Sequence, residues 1–197
     1  GRRMRASCSG RRAERLAQLA REIAAAGGRC TTLAFDVRSE EEVRRALEPL
    51  ERVDLLVNNA GCGYLGNIGE IDTVSQTRMI DLNLRALTAI TNLSVPYMEA
   101  GSRILNVSSI ASFCPTPRMT VYSATKAYVS AYTIGAAEEL KAKGITVTAV
   151  CPGPMATEFL AVGHVVDSRP FELLPYCDQV QAVSYTHLRA HETRRHL

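Results

Sequence analysis

The sequence predicts a doubly wound α/β fold built on a parallel sheet. Two observations predict it. Short runs rich in Val, Ile, Leu and Thr alternate with longer amphipathic segments, the pattern of buried parallel strands with helices on both faces. Small, polar or backbone-permissive residues then follow the apolar runs: "FDV", "NNAG", "NVSS" and "CPGP". Sheets of this kind bind ligands outside the carboxyl ends of their strands. Four such ends at one rim point to a bound ligand rather than to four unrelated turns.

Taken in order, strands are expected near residues 4 to 9, 30 to 35 ("CTTLAF"), 53 to 57 ("VDLLV"), 102 to 107 ("SRILNV") and 145 to 150 ("ITVTAV"). The segment "RRAERLAQLAREIAAAGG" carries apolar residues at helical spacing and stops at a glycine pair that serves as its C-cap. "SEEEVRRALEPL" offers a Ser N-cap and acids in the first turn, matched to the helix dipole. Residues 72 to 98 are predicted as one long helix, and 121 to 142 as another that ends at Gly144.

At 197 residues and 46% hydrophobic, the chain suits one domain with a real core. A net charge of +3 with acids and bases interspersed gives no concentrated basic patch, which argues against a nucleic-acid partner. Six cysteines stand singly with no C-x-x-C and no neighbouring His, so neither a metal site nor a disulfide is expected. With no apolar run of membrane-spanning length and no signal peptide, the expected location is the cytoplasm.

In "VYSATKAY" the four-residue spacing of Tyr122 and Lys126 puts a phenol and an ammonium on one helix face. A nearby cation favours the phenolate, so the pair is expected to draw the phenol from its usual value of about 10 toward neutrality as a tuned proton donor.

These residues do not stand alone. "NNAG" at Asn58 to Gly61, "DLNL" with Asn83, "NVSSIAS" with Ser109, "YSATK" with Tyr122 and Lys126, and "CPGPMAT" from Cys151 to Thr157 follow one another in order, with thirteen positions from Ser109 to Tyr122. In this combination the sequence resembles the classical short-chain dehydrogenase/reductase family, over about residues 4 to 165. The resemblance implies a Rossmann-type fold, a small-molecule carbonyl or alcohol substrate and a homo-oligomeric parent protein. It implies that Tyr122 is the general acid/base and that Ser109 bonds the same substrate oxygen. Lys126 would lower the phenol pKa and bond the nicotinamide ribose, while Asn83 would hold a water linking Lys126 to solvent. Asp36 resembles the family residue that meets the adenine. Asn58, Ala60 and Gly61 would line the adenosine ribose side, and Pro152, Gly153 and Thr157 the loop seating the nicotinamide amide. No metal is implied. Two other readings share parts of the pattern: a non-catalytic dinucleotide sensor, which can dispense with the Tyr, and a sugar-nucleotide epimerase, which can share Tyr-x-x-x-Lys but fits "NNAG" and "CPGPMAT" less well.

The choice of dinucleotide is read from "CSGRRAERL". Where NAD-using relatives commonly place an Asp, this chain has Gly10, followed by Arg11 and Arg12. Cations at a helix start oppose its dipole unless an anion is near, and a ribose 2′-phosphate would supply one. The expected cofactor is therefore NADP rather than NAD.

The chain departs from the family at both ends. Residue 1 falls just ahead of the second family strand, so the first strand and its Gly-rich turn are expected to be missing, and the polypeptide as written is expected to be incompetent as an enzyme. Residues 183 to 193, "VSYTHLRAHET", resemble a translated transposase adapter used in preparing DNA libraries. The expected organisation is a partial dinucleotide-binding domain over 1–182 and a non-native tail over 183–197, a fold truncated at both ends.

Overall fold

The computed structural model describes residues 5–153. Thr157 and the 183–197 tail lie outside the described residues. The chain divides into two compact units, residues 1–50 and 51–197.

In the first unit, strand β1 (Arg5–Gly10) leads to helix α1 (Ala13–Ala25), strand β2 (Arg29–Ala34) and helix α2 (Glu40–Leu47). β1 and β2 run parallel, with Ala6 opposite Cys30 and Cys8 opposite Thr32. α1 buries Leu16. It ends at the expected glycine pair: Gly27 sits at φ 79°, and a Cβ on Gly28 would lie 2.7 Å from Ile23 Cγ2. That first position needs the left-handed region and the second has no room for a side chain. Ser39 caps α2 by accepting from the Glu42 N–H at 3.3 Å, as its sequence predicts.

The second unit carries β3 (Leu55–Asn58), α3 (Thr73–Ile80), α4 (Leu87–Ser94), β4 (Arg103–Val107), α5 (Thr120–Lys141) and β5 (Thr146–Val150). Its strands form a parallel sheet in the order β3-β4-β5, with Asn58 level with Asn106 and Val107 level with Val150. One apolar cluster of Met98, Ile104, Ile145 and Val147 packs α5 onto this sheet through Ala136, Ala137 and Leu140. A second cluster gathers Met79, Met119 and Tyr122 with Cys62, Tyr64 and Leu65 around them.

The single helix expected over 72 to 98 is not uniform. Between α3 and α4 the chain widens into a π-helical segment, Asp81–Ala86, and after α4 it tightens to a 3-10 turn, Val95–Tyr97. The π segment contains Asn83, which is 1% exposed. Such widened turns inside α-helices are frequent at functional sites.

Candidate functional site

The rim of the second unit's sheet supplies most of the site. Asn58 ends β3, Ser109 follows β4, Pro152 and Gly153 follow β5, and α5 presents Tyr122 and Lys126 from its first turns. The buried stripe of α5 is Tyr122, Thr125, Lys126, Val129 and Thr133, with Ser123 beside it. A helix face with so few aliphatic residues does more than pack.

Tyr122 is hydrogen-bonded to Ser109 and sits in the Met79–Met119 cluster. Burial raises its pKa above the usual phenol value, the Ser109 bond acts in the opposite direction, and the Cys62 thiol adds to the rise. This corrects the expectation that Lys126 draws the phenol toward neutrality. The ammonium stands 5.8 Å from the centre of the Tyr122 ring and donates to the Val107 carbonyl at 2.8 Å. Removal of the phenol from water outweighs a cation that is already spoken for. Lys126 itself is only 6% exposed, and burial lowers its pKa to about 8.

Asn83 closes the site from the side. Its Oδ1 accepts from the Cys62 N–H at 2.9 Å, and its Nδ2 donates to the Cys62 carbonyl at 2.9 Å and to Thr125 Oγ1 at 3.0 Å. Both amide protons are thus used inside the protein, and the side chain acts as a clamp joining the loop after β3 to α5. The loop is pressed close: a Cβ on Gly61 would lie 3.3 Å from Asn83 Oδ1 and 3.5 Å from Lys126 Nζ.

Asn58 faces inward rather than to the rim. Its Nδ2 donates to Asn106 Oδ1 at 2.8 Å and to Thr91 Oγ1 at 2.9 Å, and Asn106 Nδ2 donates to Thr133 Oγ1 at 2.9 Å. This buried ladder ties α4, β3, β4 and α5 into one frame. Ala60 and Gly61 are exposed beyond it. Pro152 accepts from the Ile110 N–H at 3.1 Å, which fixes the start of the loop after β5 beside Ser109. Among the described residues, nothing lies within 4 Å of a Cβ built on Gly153.

Within the first unit, Arg11 and Arg12 stand at the N-terminus of α1, Arg12 as the N-cap residue with no side-chain cap bond. Asp36 follows β2 and receives two bonds at 3.0 Å from Arg38 Nε. The hydrogen bonds from Arg38, with the charge of Arg11 adding to them, hold its carboxyl at about 2 against some burial.

Sequence reading missed Thr125, Asn106, Thr91 and Thr133, which hold the site residues rather than line the rim. A signal existed for Asn106, a lone polar residue within the apolar run "RILNV". Among the described residues no cluster of three His, Cys, Asp or Glu side chains could hold a metal, and no helix is long and apolar enough to cross a membrane.

Known proteins resemble this chain in sequence and fold. A model of the short chain dehydrogenase family matches residues 2–163. Sulfoacetaldehyde reductase 2 of Chromohalobacter salexigens is 36% identical over 162 residues, which cover 78% of this chain and 64% of that protein. The chain therefore spans just under two thirds of that relative's length. A 3-ketoacyl-ACP reductase from Sinorhizobium meliloti superposes with a TM-score of 0.72 at 34% identity, covering 78% of this chain and 64% of that one. A gluconate 5-dehydrogenase from Burkholderia cenocepacia, solved with NADP and tartrate, gives a TM-score of 0.74 at 26% identity over 83% of this chain and 66% of its own. With the family model covering most of its length and the parallel α/β architecture in place, the chain belongs to the short-chain dehydrogenase/reductase family.

Proposed function

We propose that the protein is an NADP-dependent oxidoreductase that interconverts a small-molecule carbonyl and its alcohol. The observation that carries this reading is the hydrogen bond between Ser109 and Tyr122 beside the buried Lys126. The residues present fit a dinucleotide. Gly61 keeps the space before the Lys126 ammonium clear of a side chain, and among the described residues none crowds Gly153. Of the three protons on the ammonium, the Val107 carbonyl takes one.

When bound, a nicotinamide dinucleotide supplies or accepts the hydride at the substrate carbon. Tyr122 gives its proton to the carbonyl oxygen in reduction and takes it back in oxidation. A phenol whose pKa burial has raised is fully protonated at neutral pH, the form that the reductive direction needs. Ser109 holds the same oxygen from its other side and stabilises the charge that develops there. Lys126 would hold the nicotinamide ribose, and Asn83 keeps the Gly61–Cys62 loop at the distance that leaves room for it. Arg11 and Arg12, following Gly10, would receive the 2′-phosphate, and Asp36 would flank the adenine. Asn58 contributes as a positioning residue through its bonds to Thr91 and Asn106. Ala60, Gly61, Pro152 and Gly153 would contribute main-chain surface, and Thr157, four positions further along the sequence, would join them at the nicotinamide amide. The Chromohalobacter relative is a sulfoacetaldehyde reductase and the Burkholderia structure holds NADP, and these support the two halves of the reading.

The test is Tyr122→Phe in the full gene product, assayed with NADPH against a panel of carbonyl compounds. Turnover should fall by about 10²-fold or more while NADPH affinity is preserved. Unchanged turnover would remove Tyr122 from the role.

A further inference from the structure

One pair of groups lies outside everything described so far. Cys8 on β1 and Cys30 on β2 are free thiols, and Cys30 Sγ lies 3.5 Å from Cys8 Sγ in an S–H···S contact. The register explains the approach. Cys30 is opposite Ala6 and Cys8 is opposite Thr32, so the two cysteines are diagonal neighbours on one sheet face. Ala6, Cys8 and Gly10 alternate onto that face, and a Cβ on Gly10 would lie 3.9 Å from Leu16 Cδ2 of α1. The thiols are thus half-buried on the side of the sheet that α1 covers. Cys30 Sγ also donates to the Thr31 carbonyl at 3.7 Å, a bond that a Ser hydroxyl could make as well, and among the described residues no metal-holding cluster includes either sulfur.

We propose that Cys8 and Cys30 form a reversible dithiol/disulfide site whose reactant is a low-molecular-weight disulfide. A disulfide needs the sulfurs about 2.05 Å apart, so they must close by about 1.5 Å, within the reach of side-chain rotation and a small shift of two adjacent strands. The exchange has two steps. One protein thiolate attacks a sulfur of the small disulfide RSSR, forming a mixed disulfide and expelling RS⁻. The second protein thiolate then attacks the protein sulfur of that mixed disulfide, forms the Cys8–Cys30 bond and expels the second RS⁻. Two cysteine sulfurs are oxidised, RSSR is reduced to two RSH, and the two thiol protons end on those products. Burial pushes the Cys8 thiol above its usual value, and the Cys30 bond and charge act the same way. Exchange should therefore quicken as pH rises, because the thiolate is the attacking form.

The experiment equilibrates the native full chain in glutathione buffers of rising oxidised fraction, traps free thiols by alkylation and maps the digest by mass spectrometry. The expected result is a linked peptide pair containing Cys8 and Cys30, two mass units lighter than the reduced pair and released by dithiothreitol. The same treatment in guanidinium should lower its yield severalfold. In Cys8→Ser, Cys30 should stop at the glutathione adduct. The proposal is overturned if both cysteines stay alkylatable throughout, if each ends as a separate glutathione adduct, or if either joins a different cysteine. An equal yield of the link in denatured protein would also overturn it, since chain proximity rather than the fold would then explain it.

Discussion

Asn83 grips the backbone of Cys62 on both sides of its Cα, accepting from its N–H and donating to its C=O, each at 2.9 Å. A backbone loop is thereby held by a side chain in the way a neighbouring strand would hold it. Asn83→Leu leaves the Cys62 N–H and C=O and the Thr125 hydroxyl without this partner. With unmet buried groups costing roughly 1–3 kcal/mol each, partly recovered by water at the rim, the expected loss is about 3 kcal/mol in urea unfolding. A loss under about 0.5 kcal/mol would show that the clamp contributes nothing to the loop.

Gly61→Ala tests the space in front of the lysine. The new methyl would stand 3.3 Å from Asn83 Oδ1 and 3.5 Å from Lys126 Nζ, so the fold should tolerate it with a shift of a few tenths of an ångström. Its position is exposed, and stability should change by less than about 1 kcal/mol. Dinucleotide affinity, measured by fluorescence titration, should fall about tenfold or more. Wild-type affinity would place the ligand elsewhere.

The buried lysine makes stability depend on pH. Its pKa falls from 10.5 to about 8 on folding, so between those values the unfolded chain binds more protons than the folded one. Stability should therefore rise with pH across that window, and the full penalty of burying the charge is present below about pH 8. The measurement belongs below pH 10, because Tyr122 has its pKa raised above 10.0 and titrates with the opposite sign. Lys126→Met should flatten the slope of urea midpoint against pH from 8 to 10. An unaltered slope would mean that other groups carry it.

The Asn58–Asn106 rung offers a coupling measurement. Asn106 is fully buried and bonds both Asn58 and Thr133. Asn106→Leu should cost about 2–4 kcal/mol, and Asn58→Leu on that background should cost much less than it does alone. Additive losses would mean that the two amides act separately.

For the nucleotide preference, removal of Arg11 and Arg12 together should weaken NADPH binding by a few kcal/mol, the scale of charged hydrogen bonds, and leave NADH nearly unchanged. Equal losses for both dinucleotides would dissociate these arginines from the 2′-phosphate.

Strand positions were legible because each is a short β-branched run closed by a turn, and the observed strands fall within about two residues of those read from sequence. The caps at Ser39 and Gly27 were legible because single residue types perform those tasks. The π-helical segment was not. "DLNLRA" has apolar spacing compatible with an ordinary helix, and nothing in its side chains marks one extra residue per turn. The direction of the Tyr122 shift was hidden for another reason. Spacing of four places Lys126 near the phenol, but how much water is excluded depends on Met79, Cys62 and Leu65, which come from distant parts of the chain. Proximity can be counted along a sequence, whereas dielectric surroundings cannot.

The widened turn at Asp81–Ala86 sets a phase. Met79 before it and Thr91 after it both face the interior, one against the Tyr122 cluster and the other bonded to Asn58. Twelve residues at about 100° each would leave the second about 120° out of alignment with the first in an unbroken α-helix. One residue inserted into the turn cancels about 100° of that, so both side chains point the same way with Asn83 between them. The segment works as a vernier between two fixed contacts. Deleting one residue other than Asn83 from 81–86 should let the segment close into an ordinary α-helix with Met79 and Thr91 still within about 20° of each other, whereas deleting two should swing Thr91 off Asn58 or Met79 off the tyrosine.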